Sequence, residues 1–311
     1  MMNEGATRPR PVFNRPEFAV VLAVFALVAP AAGNAHGIAG DRVFPATLVT
    51  DDPAAASEIS LPTVDWFKQT RDENGNVPKE TDVGAELDLL VAPHFALGIS
   101  DGWSSIATKH ESIVQGTNNI ELLAKYQFYE NDEHEVLLSA GLVTDLGGTG
   151  AARIAESTST FTPTFYFGKG MGDLPAEAAL LRPLAFTGTF GFAIPQAQGG
   201  QDQFRPGFAL EYSMPYLKSA VKDYDLPDFV NHLVPVVETS LSIGTGGDHS
   251  VTGTVNPGVI YLADSWQFGV EAMVPYNASS QSGTGVIGQF HIFLDDALPS
   301  LFSKPIFGGN E

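Results

Sequence analysis

The chain has 311 residues, 44% of them hydrophobic and only 17% charged, and it contains no cysteine. The missing cysteine excludes a disulfide framework and any thiolate metal site. A net charge of −20 argues against nucleic-acid binding, because a phosphate backbone is met by Lys and Arg. The charged share lies below the ~25% of soluble averages, and no long apolar run beyond the N-terminus accounts for the shortfall.

In chain order, Arg8, Arg10 and Arg15 form a basic start, followed by the apolar run "FAVVLAVFALV" from Phe18 to Val28 and by small residues. This is the pattern of a signal peptide over residues 1–35, too short for a comfortable membrane span. Cleavage after Ala35 leaves His36 first and a remaining charge of −21. Residues 36–58 lack clean periodicity and read as a periplasmic N-terminal segment.

From residue 59 to residue 294 the chain reads as alternating runs of about ten residues, the length of a tilted membrane strand. The predicted strands are about 59–70, 82–91, 94–103, 118–129, 134–145, 160–169, 184–194, 204–214, 235–244, 253–262, 265–275 and 285–294. Their connections fall into two alternating classes. One holds Pro93-His94, "ENDE" and Asp264-Ser265, with two longer segments, "GMGDLPAEAALLRP" and "YLKSAVKDYDLPDFVNHLVP", each able to hold a short helix. The other is rich in Gly, Ser, Thr and Gln. One class on each rim fits an all-β fold, an up-and-down antiparallel transmembrane β-barrel of about twelve strands. Residues 295–311 follow as a C-terminal periplasmic tail.

The alternation itself does not say what the apolar face touches, since a sandwich core gives the same pattern. Three observations favour lipid. The signal peptide exports the chain. Aromatics such as Trp103, Phe128, Tyr129, Trp266 and Tyr276 stand near strand ends, where interfacial girdles belong. The opposite face carries charges in mid-strand beside Gly and Ala, which suits a wet interior.

The last predicted strand, with Val286, Gly288, Phe290 and Ile292 on one face, resembles the assembly signal of bacterial outer-membrane barrels, although the chain continues through "DDALPSLFSKPIFGGNE". The start "HGIAGDRVFPATLVTDDP" and the glycine-rich strands are also similar to the transporter family named for the MetA pathway of phenol degradation. That resemblance implies passive uptake of small apolar or aromatic molecules.

The candidate lumen-lining residues are Glu86, Asp88, Glu121, Lys125, Arg205, Glu211, Glu238, Glu271 and His291. One reading is a cation-favouring lumen, since carboxylate rings attract cations. The other is a structural network in a plugged barrel, with Glu paired to Lys125, Arg205 and hydroxyls. A small barrel is easily filled by its own side chains, which favours the second. "GISDG" (Gly98–Gly102) matches G-x-S-x-G, yet the nucleophile elbow needs strand, sharp turn and helix. The histidines 36, 94, 110, 134, 232, 249 and 291 show no ligand spacing. A free His36 could chelate copper through its amine and ring, but one residue does not make a site.

The expectation is therefore an outer-membrane barrel for passive passage of a small molecule, not an enzyme, with neither cofactor nor metal. A structural or ligand-binding barrel without an open channel is the alternative, and a barrel-embedded hydrolase using Ser100 a remote one. The partners expected are outer-membrane lipid, a small-molecule solute and the barrel assembly machinery.

Overall fold

The computed structural model describes residues 37–246 and 249–307, so the expected signal peptide and His36 lie outside the described residues. A two-residue ladder, β1 (Ile38–Ala39) with β2 (Arg42–Val43), comes first. Thereafter the chain is a meander of β3 (Glu58–Lys68), β4 (Lys79–Ala92), β5 (Phe95–Ala107), β6 (Val114–Thr117), β7 (Glu121–Asn131) and β8 (Val136–Asp145). It continues through β9 (Thr160–Gly170), β10 (Leu184–Pro195), β11 (Gln203–Tyr212), β12 (Leu233–Gly244), β13 (Val251–Leu262), β14 (Trp266–Pro275) and β15 (Gly285–Phe293). Every neighbouring pair is antiparallel.

β15 pairs with β3, from Val286↔Trp66 to Phe293↔Glu58, and closes the sheet on itself. The short β6 continues the line of β7, because both pair with β5, β6 on its second half and β7 on its first. The result is a closed antiparallel barrel of twelve staves, as the sequence pattern predicted. Closure removes the free edges that would otherwise offer unpaired N–H and C=O groups to lipid. No helix among the described residues is long and apolar enough to cross a membrane.

The two rims differ as expected. On one, β4 turns into β5 through Pro93 and His94 alone, with His94 in the left-handed region at φ 60°. The two longer connections on this rim carry the 3₁₀ turn Ala176–Leu181 and the short helices Met214–Tyr216 and Asp228–Asn231. After β15 the chain forms two further short helices, and Ile306 and Phe307 donate backbone hydrogen bonds to Leu90 and Val91 at the end of β4. This is the turn rim. The opposite, loop rim holds the polar loops.

Strict alternation sorts the side chains. On the β4–β5 ladder, Leu87 lies opposite Ile99 and Leu89 opposite Leu97 on the outer face, while Glu86 lies opposite Ser100 and Asp88 opposite Gly98 on the inner. The outer face is apolar around the barrel, with Leu97, Ile99, Leu122, Phe186, Phe190, Val237, Phe268 and Val270 all exposed. Phe167, Phe186, Phe190 and Phe208 pack together across β9–β11, stacked, tilted or edge-on, with ring centroids 5.5–6.4 Å apart. Near the turn rim, Tyr261 stacks with Phe229 at 5.4 Å and with Trp266 at 5.6 Å, in the place of an interfacial girdle. An apolar band of this extent is far larger than water tolerates. Each of its large side chains gains roughly 1.5–3 kcal/mol on leaving water for lipid. The molecule is a transmembrane barrel.

Candidate functional site: a lumen filled from one rim

Sequence reading put residues 36–58 in the periplasm. The structure instead packs residues 37–57 among the inward-facing side chains of the barrel. The physical reason is composition. The segment carries Phe44, Ala46, Leu48, Ala54, Ala55 and Ala56, all of them buried. The inner wall supplies matching apolar positions. Leu48 packs with Ala209, Val234, Val236, Ile260 and Ile287. Ala39, Phe44 and Ala54 pack with Leu137 and Ala185, and Ala55 with Leu90 and Ala96. Two wall glycines make room. A Cβ at Gly269 would stand 2.4 Å from Leu48, and one at Gly168 2.8 Å from Pro53.

The segment runs inward from the turn rim and back. At its start Arg42, fully buried, donates from Nε to Glu135 at 3.2 Å and from one terminal nitrogen to the Pro183 carbonyl at 3.0 Å. Its other terminal nitrogen donates to the Arg182 carbonyl, and its guanidinium lies 3.8 Å from the centre of the Tyr216 ring. The Tyr216 hydroxyl donates to Glu135 at 2.7 Å. Burial, and then the Glu135 carboxylate, push the Tyr216 phenol up to about 12, so it stays a donor.

At the innermost point, the Glu238 carboxylate of β12 accepts from the backbone N–H groups of Leu48 at 2.6 Å, Val49 at 3.1 Å and Thr50 at 2.6 Å. Lys125 of β7, buried, donates to Asp51 at 2.9 Å and to the Asp52 carbonyl at 3.2 Å. Returning toward β3, Ser139 donates to the Pro53 carbonyl and Ala55 N–H donates to Gln127 at 3.2 Å. Three backbone donors that would be orphaned in a dry lumen are thus met by one carboxylate.

The remaining candidates divide. Glu211 is buried and accepts from Thr187 at 3.2 Å, and Glu271 is buried on β14. His291 stands 2.9 Å from the Ser60 hydroxyl and 3.3 Å from Glu58. Glu86, Asp88, Glu121, Arg205 and His291 line a cavity of about 280 Å³ whose floor is the inserted segment, residues 46–52. A second cavity of about 380 Å³ shares Leu48, Glu86, Glu121 and Gln289 with it and extends among strand ends toward the loop rim, past Asp101, Asn118 and Asp145. Ser100 lies in this second cavity, and all of Gly98–Gly102 is extended strand with no strand–turn–helix elbow.

Sequence reasoning missed Arg42, Glu135, Asp51 and Tyr216, the residues that seat the segment. A signal was present, because apolar residues occur on both faces in "LVPVV" and "GVIYL". A wet lumen gives no reason for an apolar inner face, and a packed one does.

The sequence matches no family model and no curated protein. Among solved structures, the fold is similar to the COG4313 outer membrane channel from Pseudomonas putida F1, at 10% identity and a TM-score of 0.50, covering 81% of this chain and 99% of that one. KdgM porin matches over 74% of this chain and 98% of its own, at 14% identity and a TM-score of 0.41. The translocator domain of autotransporter NalP from Neisseria meningitidis matches at 10% identity and a TM-score of 0.42, over 76% of this chain and 87% of that one. Closed twelve-stave topology and a lipid-facing apolar band make this chain a bacterial outer-membrane β-barrel, with a fold similar to that of an outer membrane channel.

Proposed function

We propose that the chain is a passive outer-membrane channel for a small solute, whose turn-rim half is closed by its own N-terminal segment. The observation that carries this is the asymmetry of the lumen. Two adjoining cavities remain open, the second reaching toward the loop rim, while a segment held at its tip by Glu238 and Lys125 fills the lumen from the turn rim. Passage then requires that the segment move. The fold shared with an outer membrane channel supports this reading, as does the resemblance to the phenol-pathway transporter family. The apolar or aromatic solute implied by that resemblance would find Leu48, Leu123, Val143 and Tyr166 in the first cavity.

A second reading, a ligand-binding barrel that never opens, is favoured by the seat of Arg42, buried with every donor group satisfied. Planar-bilayer recording separates the two. Purified protein is compared with a variant in which residues 44–56 are replaced by a Gly/Ser linker of equal length. The channel reading expects brief or small openings in the natural chain and a steady, larger conductance in the variant. A variant that folds, shown by a heat-modifiable gel shift, yet stays closed to every small ion supports the second reading and ends the first.

A further inference from the structure

The strand register places the lumen's carboxylates in ordered rows. Across β4, β5, β7 and β8 one row reads Glu86, Ser100, Glu121, Asp145, each directly opposite the next. Neighbouring strands lie ~4.8 Å apart, so the carboxylates of such a row face one space. Six carboxylates, Asp51, Asp52, Glu58, Glu86, Asp88 and Glu121, line the first cavity against one arginine, Arg205. Asp65, Asp82, Asp101 and Asp145 extend the lining into the second cavity, which has no Lys or Arg. Lys125 is already committed to Asp51 and the Asp52 carbonyl.

Two buried acceptors in the wall add an independent observation. Gln289 is 7% exposed and lines both cavities; its Nε2 donates to Thr63 at 3.1 Å, while its Oε1 has no hydrogen-bond donor. Asp88 is 4% exposed, and its Oδ1 lies over Gly98 with no donor either. Unmet buried acceptors call for a ligand that brings donors. The carboxylates do not converge on a metal-sized point: no group of three or more His, Asp or Glu among the described residues could hold a metal ion. Spread acceptors of one charge, adjoining cavities of about 280 and 380 Å³ and a few apolar surfaces suit a larger cation with several N–H groups.

From this we infer that the lumen cavities are a binding site for small organic cations, primary ammonium or guanidinium compounds, with Glu86, Asp88, Glu121 and the Gln289 amide as its recognition groups. The inference deepens the channel reading and rests on it for the site's use, but binding itself does not need an open pore. Titration calorimetry on the detergent-purified full barrel therefore tests it, with three probes that share one ring: benzylammonium, benzyl alcohol and benzoate. The expected result is benzylammonium bound at least about tenfold more tightly than the other two. Asp88→Asn and Gln289→Leu each weaken it about fivefold or more, and Glu86→Gln with Glu121→Gln does so without touching a buried position. Equal affinity for the three probes, no benzylammonium binding, or unchanged binding in the folded Glu86→Gln/Glu121→Gln variant overturns the inference. Binding without conductance in the linker variant would retain the site and remove the channel; conductance without binding would do the reverse.

Discussion

Arg42 anchors the start of the inserted segment. Its charge is wholly buried and survives there because Glu135, two carbonyls and the Tyr216 ring replace water. Breaking such a pair leaves Glu135 buried without its cation, a cost of about 3–5 kcal/mol. Arg42→Ala should therefore lower stability in urea titrations from vesicles by about that amount, and Arg42→Lys should recover only part, since an ammonium cannot form the fork. At the other end, Glu238→Gln replaces one acceptor oxygen with a donor facing a backbone N–H. Losing a charge-assisted bond worth about 1.5–3 kcal/mol should speed amide exchange at Leu48–Thr50 at least about tenfold, read by mass spectrometry. Glu238 and Lys125 were legible from sequence as inward charges on strands. Arg42 was not, because nothing in a non-periodic stretch tells a buried arginine from a solvated one.

Among the elements, the strands were the legible part. Period-two alternation and the two kinds of connection fixed the twelve staves, and the ladder ends moved by a few residues, as where β4 begins at Lys79 and not at residue 82. The outer face predicts a sharp asymmetry. Phe190→Arg, in the middle of β10 and facing lipid, should cost about 2–4 kcal/mol in the same titrations. The inner face was half-read. Its charges were visible, but the contribution of Val234, Val236, Ile260 and Ile287 was masked, because apolar residues on both sides of a strand blur the alternation that reveals the strand. Gly269→Val tests that inner packing, since its side chain meets Leu48 where even a Cβ comes within 2.4 Å. It should raise conductance toward that of the linker variant while leaving every carboxylate in place.

For the whole molecule, closure of β15 on β3 predicts a barrel that resists detergent unfolding until heated. An unboiled sample should run apart from a boiled one, and salt alone should fail to extract the protein from membranes. The segment inside adds a topological property. Residues 37–43 and the start of β3 lie at the same rim, so the described part of the segment enters the ring as a bight and returns to the rim it came from. A bight can be drawn out of a closed ring without parting a single stave. On the channel reading, releasing it would break side-chain seats and leave the inter-strand ladders whole, so one folded barrel could open and refill without unfolding.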